Sequence, residues 1–171
     1  MKRKSLADIE CPIARSLDLV GDAWSLLILR DALLGATRFQ EFQERLGMAP
    51  NTLARRLAAL TEQGLLVRRT YERKPPRDRY ELTAKGADML PVLLTLSRWG
   101  NRWLSPNGPA LECVDPATGS VLDPIVVDRR TLSPMSAGKV ALRAGRGASR
   151  GLRRKLPGSI VFGRSGAEGE A

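Results

Sequence analysis

A chain of 171 residues with 43% hydrophobic side chains is long enough for one packed domain and an appendage. Its formal charge of +10 and pI near 10.6 favour a polyanionic partner, nucleic acid or acidic lipid. There is no histidine, which removes Ser/His/Asp and Cys/His nucleophile pairs and imidazole metal ligands, and the two cysteines, Cys11 and Cys113, stand too far apart to form a chelate. No enzymatic activity, metal or cofactor is therefore expected. The basic start MKRK leads into LADIE rather than an apolar run, so no secretion signal is expected. Apolar stretches such as MLPVLL fall well short of the ~18 residues that span a bilayer. The expectation is a cytoplasmic chain without a membrane partner.

Three regions are expected: a main domain over 1–104, a small β-rich extension over 105–140, and an Arg/Gly-rich tail over 141–171. In the main domain Cys11-Pro12 opens a short helix to Val20, with proline at the first helical position. Gly21-Asp22 interrupts it, and AWSLLILRDALL reads as a second helix with Trp24, Leu27, Ile28 and Leu34 on its buried side. Thr37 and Gln40 have the spacing of a capping box. The helix they open carries Phe39, Phe42 and Leu46 on one face and stops at Gly47. Pro50 starts the next helix, which ends at Gly64.

Beyond it the period shortens. LLVRRTY and RYELT are strand-like, and ERKPPRD is a turn-rich tip where Pro75-Pro76 should end the pairing. Thr83 can cap a long helix to about Leu104, nearly apolar all round, with Pro91 expected to kink it. A helix of that kind at the end of a small domain needs a partner subunit to cover it. Trp24, Trp99 and Trp103 are read as core and interface packing.

Helix, short turn, helix and basic hairpin, in that order, describe a winged helix-turn-helix: mainly α with a β-hairpin wing. On the second motif helix Leu53, Leu57 and Leu60 share one side, while Asn51, Thr52 and Arg55 gather on the other, with Ala59. Arginine suits guanine edges, asparagine adenine, and threonine offers a hydroxyl or methyl contact. Arg56 lies off that axis, nearer to phosphate or an intramolecular carboxylate. Arg73, Lys74, Arg77 and Arg79 are candidate phosphate contacts within a wing that also carries Arg68 and Arg69 against Glu72 and Asp78, and Arg38, at the start of the first motif helix, is another, near a helix N-terminus. Arginine pairs taken singly are usually a solvated face. It is the order of the elements that points to double-stranded DNA. The alternative is a winged-helix module for protein partners, which would need an apolar recognition face.

"CPIARSLDLVGDAWSLLILRDALLGATRFQEFQERL", "MAPNTLARRLAALTEQGLLVRRTYERKPPRDRYELTAKG" and "LPVLLTLSRWG" together resemble an HxlR-type bacterial transcriptional regulator, a winged-helix group related in fold to MarR proteins. The resemblance covers about residues 11–104. It implies a homodimer joined through amino- and carboxyl-terminal helices, acting on a roughly palindromic operator as repressor or activator. The family's recognition-helix pattern matches at Pro50, Thr52, Leu53, Arg55, Arg56 and Leu57, and its wing pattern at Pro75, Pro76 and Arg77, followed by Tyr80, Leu82 and Thr83. Ala49 departs from it, standing where the family commonly has a capping serine. A missing cap costs on the order of 1 kcal/mol locally.

Cys11 precedes Pro12 at a helix start, where the helix dipole favours thiolate, and Arg15 follows four residues on. Some members of the group are similar here and use the cysteine as a redox or electrophile switch. This makes Cys11 a candidate redox sensor and an oxidant or small molecule a candidate effector. The ordinary reading is a small apolar residue packed at a dimer interface. In the extension, VDPATGS at Val114 recurs as VDRRTLS at Val127, which suggests two short hairpins. Some relatives are similar in carrying a metal-ribbon-like extension, but Cys113 alone cannot hold zinc. The tail after about residue 141 is expected to be disordered, its arginines a further source of nonspecific DNA affinity.

Overall fold

The computed structural model describes residues 5–73 and 76–163, and of Arg73 and Pro76 the backbone only. Lys74 and Pro75, expected at the wing tip, lie outside the described residues. The chain divides into two compact units, Met1–Leu111 and Glu112–Ala171.

In the first unit, α1 (Pro12–Val20) begins with Cys11 in extended backbone and Pro12 in the first turn. α2 (Ala23–Leu33) is capped by Asp22, whose carboxylate accepts from the Ser25 N–H at 3.0 Å. Ser25, Ile28, Leu29 and Asp31 are its buried positions. That differs from the expected face, because Trp24 and Leu34 are exposed. With Ser25, Ile28 and Leu29 directed inward, about 100° of rotation per residue leaves Trp24 at the rim.

α3 (Phe39–Leu46) starts one residue later than the capping-box spacing suggests. The Tyr80 N–H donates to the Thr37 carbonyl at 2.7 Å, and Arg38 bridges Arg79, so β pairing holds Thr37 and Arg38 extended. The reciprocal acceptor is Glu41 rather than Gln40. Its Oε2 takes the N–H groups of Thr37 (2.7 Å) and Arg38 (2.9 Å). These two bonds hold the Glu41 carboxyl below its usual range. Gly47, at φ 60°, turns the chain in the left-handed region. α4 (Pro50–Glu62) follows, and Ala49 indeed supplies no side-chain cap.

Phe42, Ile28, Leu29, Leu53, Leu57, Leu60 and Leu66 form the centre of the core. β1 (Leu66–Arg73) and β2 (Pro76–Leu82) pair antiparallel from Leu66↔Leu82 out to Arg73↔Pro76, with an irregularity between Thr70 and Glu72. Pairing thus continues to Pro76, which opens β2, the strand position where a missing N–H is tolerated.

The expected long helix after Thr83 is two. α5 (Ala84–Ala87) is capped by Thr83, and α6 (Leu90–Leu104) starts afresh with Pro91 in its first turn, where proline initiates a helix instead of kinking it. Thr83 ties α5 to the start of the wing. Its N–H donates to the Leu65 carbonyl at 3.1 Å and its hydroxyl to the Gly64 carbonyl at 2.7 Å. No residue of α6 is fully buried.

In the second unit, the 13-residue repeat folds as two like hairpins, bridged at Val114↔Val121 and Val127↔Pro134. Asp115 N–H to Ser120 O and Asp128 N–H to Ser133 O are both 2.9 Å. The Asp115 and Asp128 carboxylates accept turn N–H groups two and three residues on. Leu132, at φ 55°, occupies the left-handed position that Gly119 fills in the first copy. Residues 141–163, expected without regular structure, instead carry β3 (Ala141–Arg143) paired antiparallel with β4 (Ser159–Val161), and α7 (Arg150–Lys155) between them. The last expected tail residues, 164–171, lie outside the described ones.

Gly86 allows α5 to lie against the start of the wing. An added Cβ would sit 2.1 Å from the Leu65 carbonyl oxygen and 2.9 Å from Leu82 Cδ2. Gly86→Ala is expected to destabilise the fold by about 1–3 kcal/mol, as other overpacking substitutions do. In urea unfolding, the midpoint should fall while the slope holds.

Candidate nucleic-acid interface

α4 is anchored on one side. Leu53, Leu57 and Leu60 are each 0% exposed, and each such leucine contributes about 2 kcal/mol of burial. Three anchors within two turns set the helix's rotation, so Asn51 and Arg55 face solvent while Thr52 is half-buried. Ala54, Ala58 and Glu62 are also exposed on α4, so its free side carries no large apolar group.

Arg56 behaves differently from Arg55. Its Nε lies 3.3 Å from Asp22 Oδ1, and the side chain is half-buried. This is an ion pair without hydrogen-bond alignment, since the same Nε has no hydrogen-bond acceptor. Asp22 also caps α2, so Arg56 braces α4 against the α2 N-terminus. Of the two sequence readings of Arg56, the structure provides the carboxylate.

The wing is a ladder of charge pairs. Arg68 pairs with Asp78, Arg69 with Glu81 at 2.9 Å, Arg77 with Glu72 at 3.3 Å, and Arg79 with Glu81 at 2.7 Å. Hydrogen bonds from Arg68 and then Thr70 hold the Asp78 carboxyl below its usual range, and the Asp78 bond raises Arg68. These guanidiniums are about half exposed or more, and exposed pairs contribute little to stability. An arriving phosphate can therefore replace the carboxylate at small cost.

Arg38 and Arg77 border one cleft with Tyr71, Glu41 and Asp78. The Arg38 guanidinium lies 5.5 Å from the centre of the Tyr71 ring, within cation–π range. The structure thus brings Arg38 and Arg77 together and keeps Arg79 on the strand beside Arg38. Arg55 stands on a separate helix. The Arg73 side chain and Lys74 lie outside the described residues. Sequence reasoning missed Tyr71 and the neutralising role of Glu81. The alternation of Arg with Asp or Glu across the two strands was the available signal.

Cys11 is half-buried. The Arg15 guanidinium turns to the Ile9 carbonyl, with Nε at 3.2 Å, instead of to the thiol. No group of three or more His, Cys, Asp or Glu among the described residues could hold a metal ion, and no described helix is long and apolar enough to cross a membrane.

A helix-turn-helix buttressed by a β-hairpin defines a winged helix-turn-helix protein. The HxlR-like helix-turn-helix family model matches residues 19–108. An HTH-type transcriptional regulator of Mycobacterium tuberculosis, itself uncharacterised, is 38% identical over 116 residues, 67% of this chain and 73% of that protein. Among solved structures, PA1607, a candidate transcription factor, superposes with TM-score 0.74 at 38% identity, over 84% of this chain and 99% of that one. PA1374 of Pseudomonas aeruginosa, another candidate transcription factor, gives TM-score 0.63 at 42% identity, over 85% and 100%. The redox regulator HypR in its reduced form gives 0.51 at 29% identity, over 55% and 96%. The chain belongs to the HxlR-like helix-turn-helix family and is a DNA-binding transcriptional regulator.

Proposed function

We propose that this regulator acts as a homodimer on a roughly palindromic operator, by binding and without catalysis. The exposed face of α4 reads base edges in the major groove through Asn51, Thr52 and Arg55. Arg38, Arg73, Lys74, Arg77 and Arg79 grip phosphates. Arg56 contributes from beside that face, steered by Asp22. The observation that carries this reading is the two-sidedness of α4: three leucines fully buried, and a polar face opposite them left open. A protein-docking module would need apolar side chains on that open face. In a twofold pair the half-sites are centred about one helical turn apart, or a multiple of it.

Dimerisation is supported by the apolar surface that one subunit leaves uncovered. On α6, Leu96 is 48%, Trp99 54% and Trp103 63% exposed, at spacings that share a helix face. On α1, Ile13 and Leu17 are exposed as well. The oxidant-sensing part of the reading is supported by the redox regulator among the structural neighbours and by the position of Cys11 at the head of α1. Oxidation of a thiol there would alter the packing of α1 and with it the half-site spacing.

Arg55→Ala should relax base preference at its contact, with a loss of about 1–3 kcal/mol confined to the preferred sequence. Arg77→Ala should weaken all duplexes alike and lower the salt slope by about 1. Equal losses on operator and random duplex for both variants would remove this division of labour. Trp103→Glu should sediment as a monomer with unchanged helical circular dichroism. A dimer at the same concentration would count against the α6 interface. Oxidant should change the footprint of the native chain and leave that of Cys11→Ser unaltered.

A further inference from the structure

The second unit holds a charge arrangement unlike that of the wing. From Arg129 through Ala167 the chain has no Asp or Glu. Within that stretch Arg143, Arg146, Arg150, Arg153, Arg154 and Lys155 are all exposed. The four described wing arginines each meet a carboxylate, whereas no ion pair involves any of these six among the described residues. Arg150, Arg153 and Arg154 are three and four residues apart on α7 and line one shallow concavity. Like charges at those spacings repel and destabilise a helix, so the face is suited to an anionic partner rather than to the fold's own stability.

This face stands on ordered backbone. Arg153 donates to the carbonyls of Ala148 (3.2 Å), Gly145 (3.2 Å) and Arg146 (2.7 Å), closing the loop ahead of α7. Ser149 caps the helix at 3.1 Å through the Leu152 N–H. Beside it a cleft of 430 Å³ is lined by Arg143, Arg153, Gly158 and Ser159 among others, so two guanidiniums and a hydroxyl border one opening. Guanidiniums with a hydroxyl suit phosphate oxygens.

We propose that this β3–α7–β4 face is a second, sequence-independent contact for the DNA phosphate backbone. The inference rests on the regulator reading, because it is the helix-turn-helix that brings duplex DNA to the same chain. Once one half of a tethered pair is bound, the other meets phosphates at high effective concentration. The contact adds affinity and salt sensitivity without adding base preference.

The test uses the full chain and the triple variant R150Q/R154Q/K155Q, which spares the bracing Arg153. Binding to a random duplex is followed by fluorescence anisotropy across a salt series. The slope of log K against log salt should fall by about 2–3, near 0.9 for each phosphate that the variant no longer neutralises. The ratio of operator to random affinity should stay unchanged, and R150K/R154K should keep the native slope. An unaltered slope in the triple variant overturns the proposal. So does a variant that binds duplex as the native chain does but no longer binds phosphatidylserine vesicles, single-stranded RNA or a free nucleotide. The random-duplex readout is independent of operator reading. Loss of preference in Arg55→Ala tests the α4 assignment separately, so the two readings can fail apart.

Discussion

The structure depends on the burial of one side of α4. Leu53, Leu57 and Leu60 enter a core built from Ile28 and Leu29 of α2, Phe42 of α3 and Leu66 of β1. Burying those three leucines contributes about 6 kcal/mol, comparable to the whole net stability of a small domain. The rotation of α4 is therefore not adjustable, and the side opposite the leucines stays open. A helix anchored less firmly would blur the positions of Asn51 and Arg55, which the base-edge contacts we propose for them require to be well defined. The Arg56–Asp22 pair adds a lateral brace.

Around that rigid centre, charge is distributed on two different plans. The wing holds its arginines in ion pairs, three across the strands and Arg79–Glu81 along β2, which orient the guanidiniums and keep the hairpin from repelling itself. Because the pairs are exposed, they contribute little and can be exchanged for phosphates. Among the described residues no ion pair neutralises Arg143, Arg146, Arg150, Arg153, Arg154 or Lys155 of the second unit, and Arg153 orders that face through backbone carbonyls instead. A paired surface stays near neutral until a polyanion competes for it. An unpaired surface attracts a polyanion from a distance, within the Debye length.

Apolar surface is also unevenly settled. The core of the first unit is closed, yet α6 has no fully buried residue and leaves Leu96, Trp99 and Trp103 open. Exposed aromatic groups on one helix face are characteristic of interaction surfaces rather than of a finished monomer. The break at Asp88–Met89 matters here. Gly86 pins α5 against Leu65, and α6 begins anew on its own axis, free of the direction that Thr83 and α5 impose.

Much was legible from local pattern. The order of helices and strands, the leucine face of α4, the open Asn51 and Arg55, and the 13-residue hairpin repeat all follow from periodicity, prolines, glycines and turn residues, which act within a few positions. What failed to show locally depended on distant partners. Strand pairing with β2 held Thr37 and Arg38 extended and moved the α3 cap to Arg38, with Glu41 as the reciprocal acceptor. Thr83 and Gly86 lie against Leu65 and fix a short α5 before α6 starts anew with Pro91 in its first turn, and the inward set of Ser25, Ile28 and Leu29 turned Trp24 outward. Residues 141–163 carry few large apolar groups, without a helical or alternating period to announce structure, and their order comes from the β3–β4 pairing and from Arg153 reaching back to carbonyls five to eight positions away. The amino-acid sequence alone determined the kind and order of the elements, because hydrophobic period and turn chemistry are local. Helix starts, charge partners and which apolar face remains open were decided by tertiary structure, because each depends on a surface contributed from elsewhere in the chain.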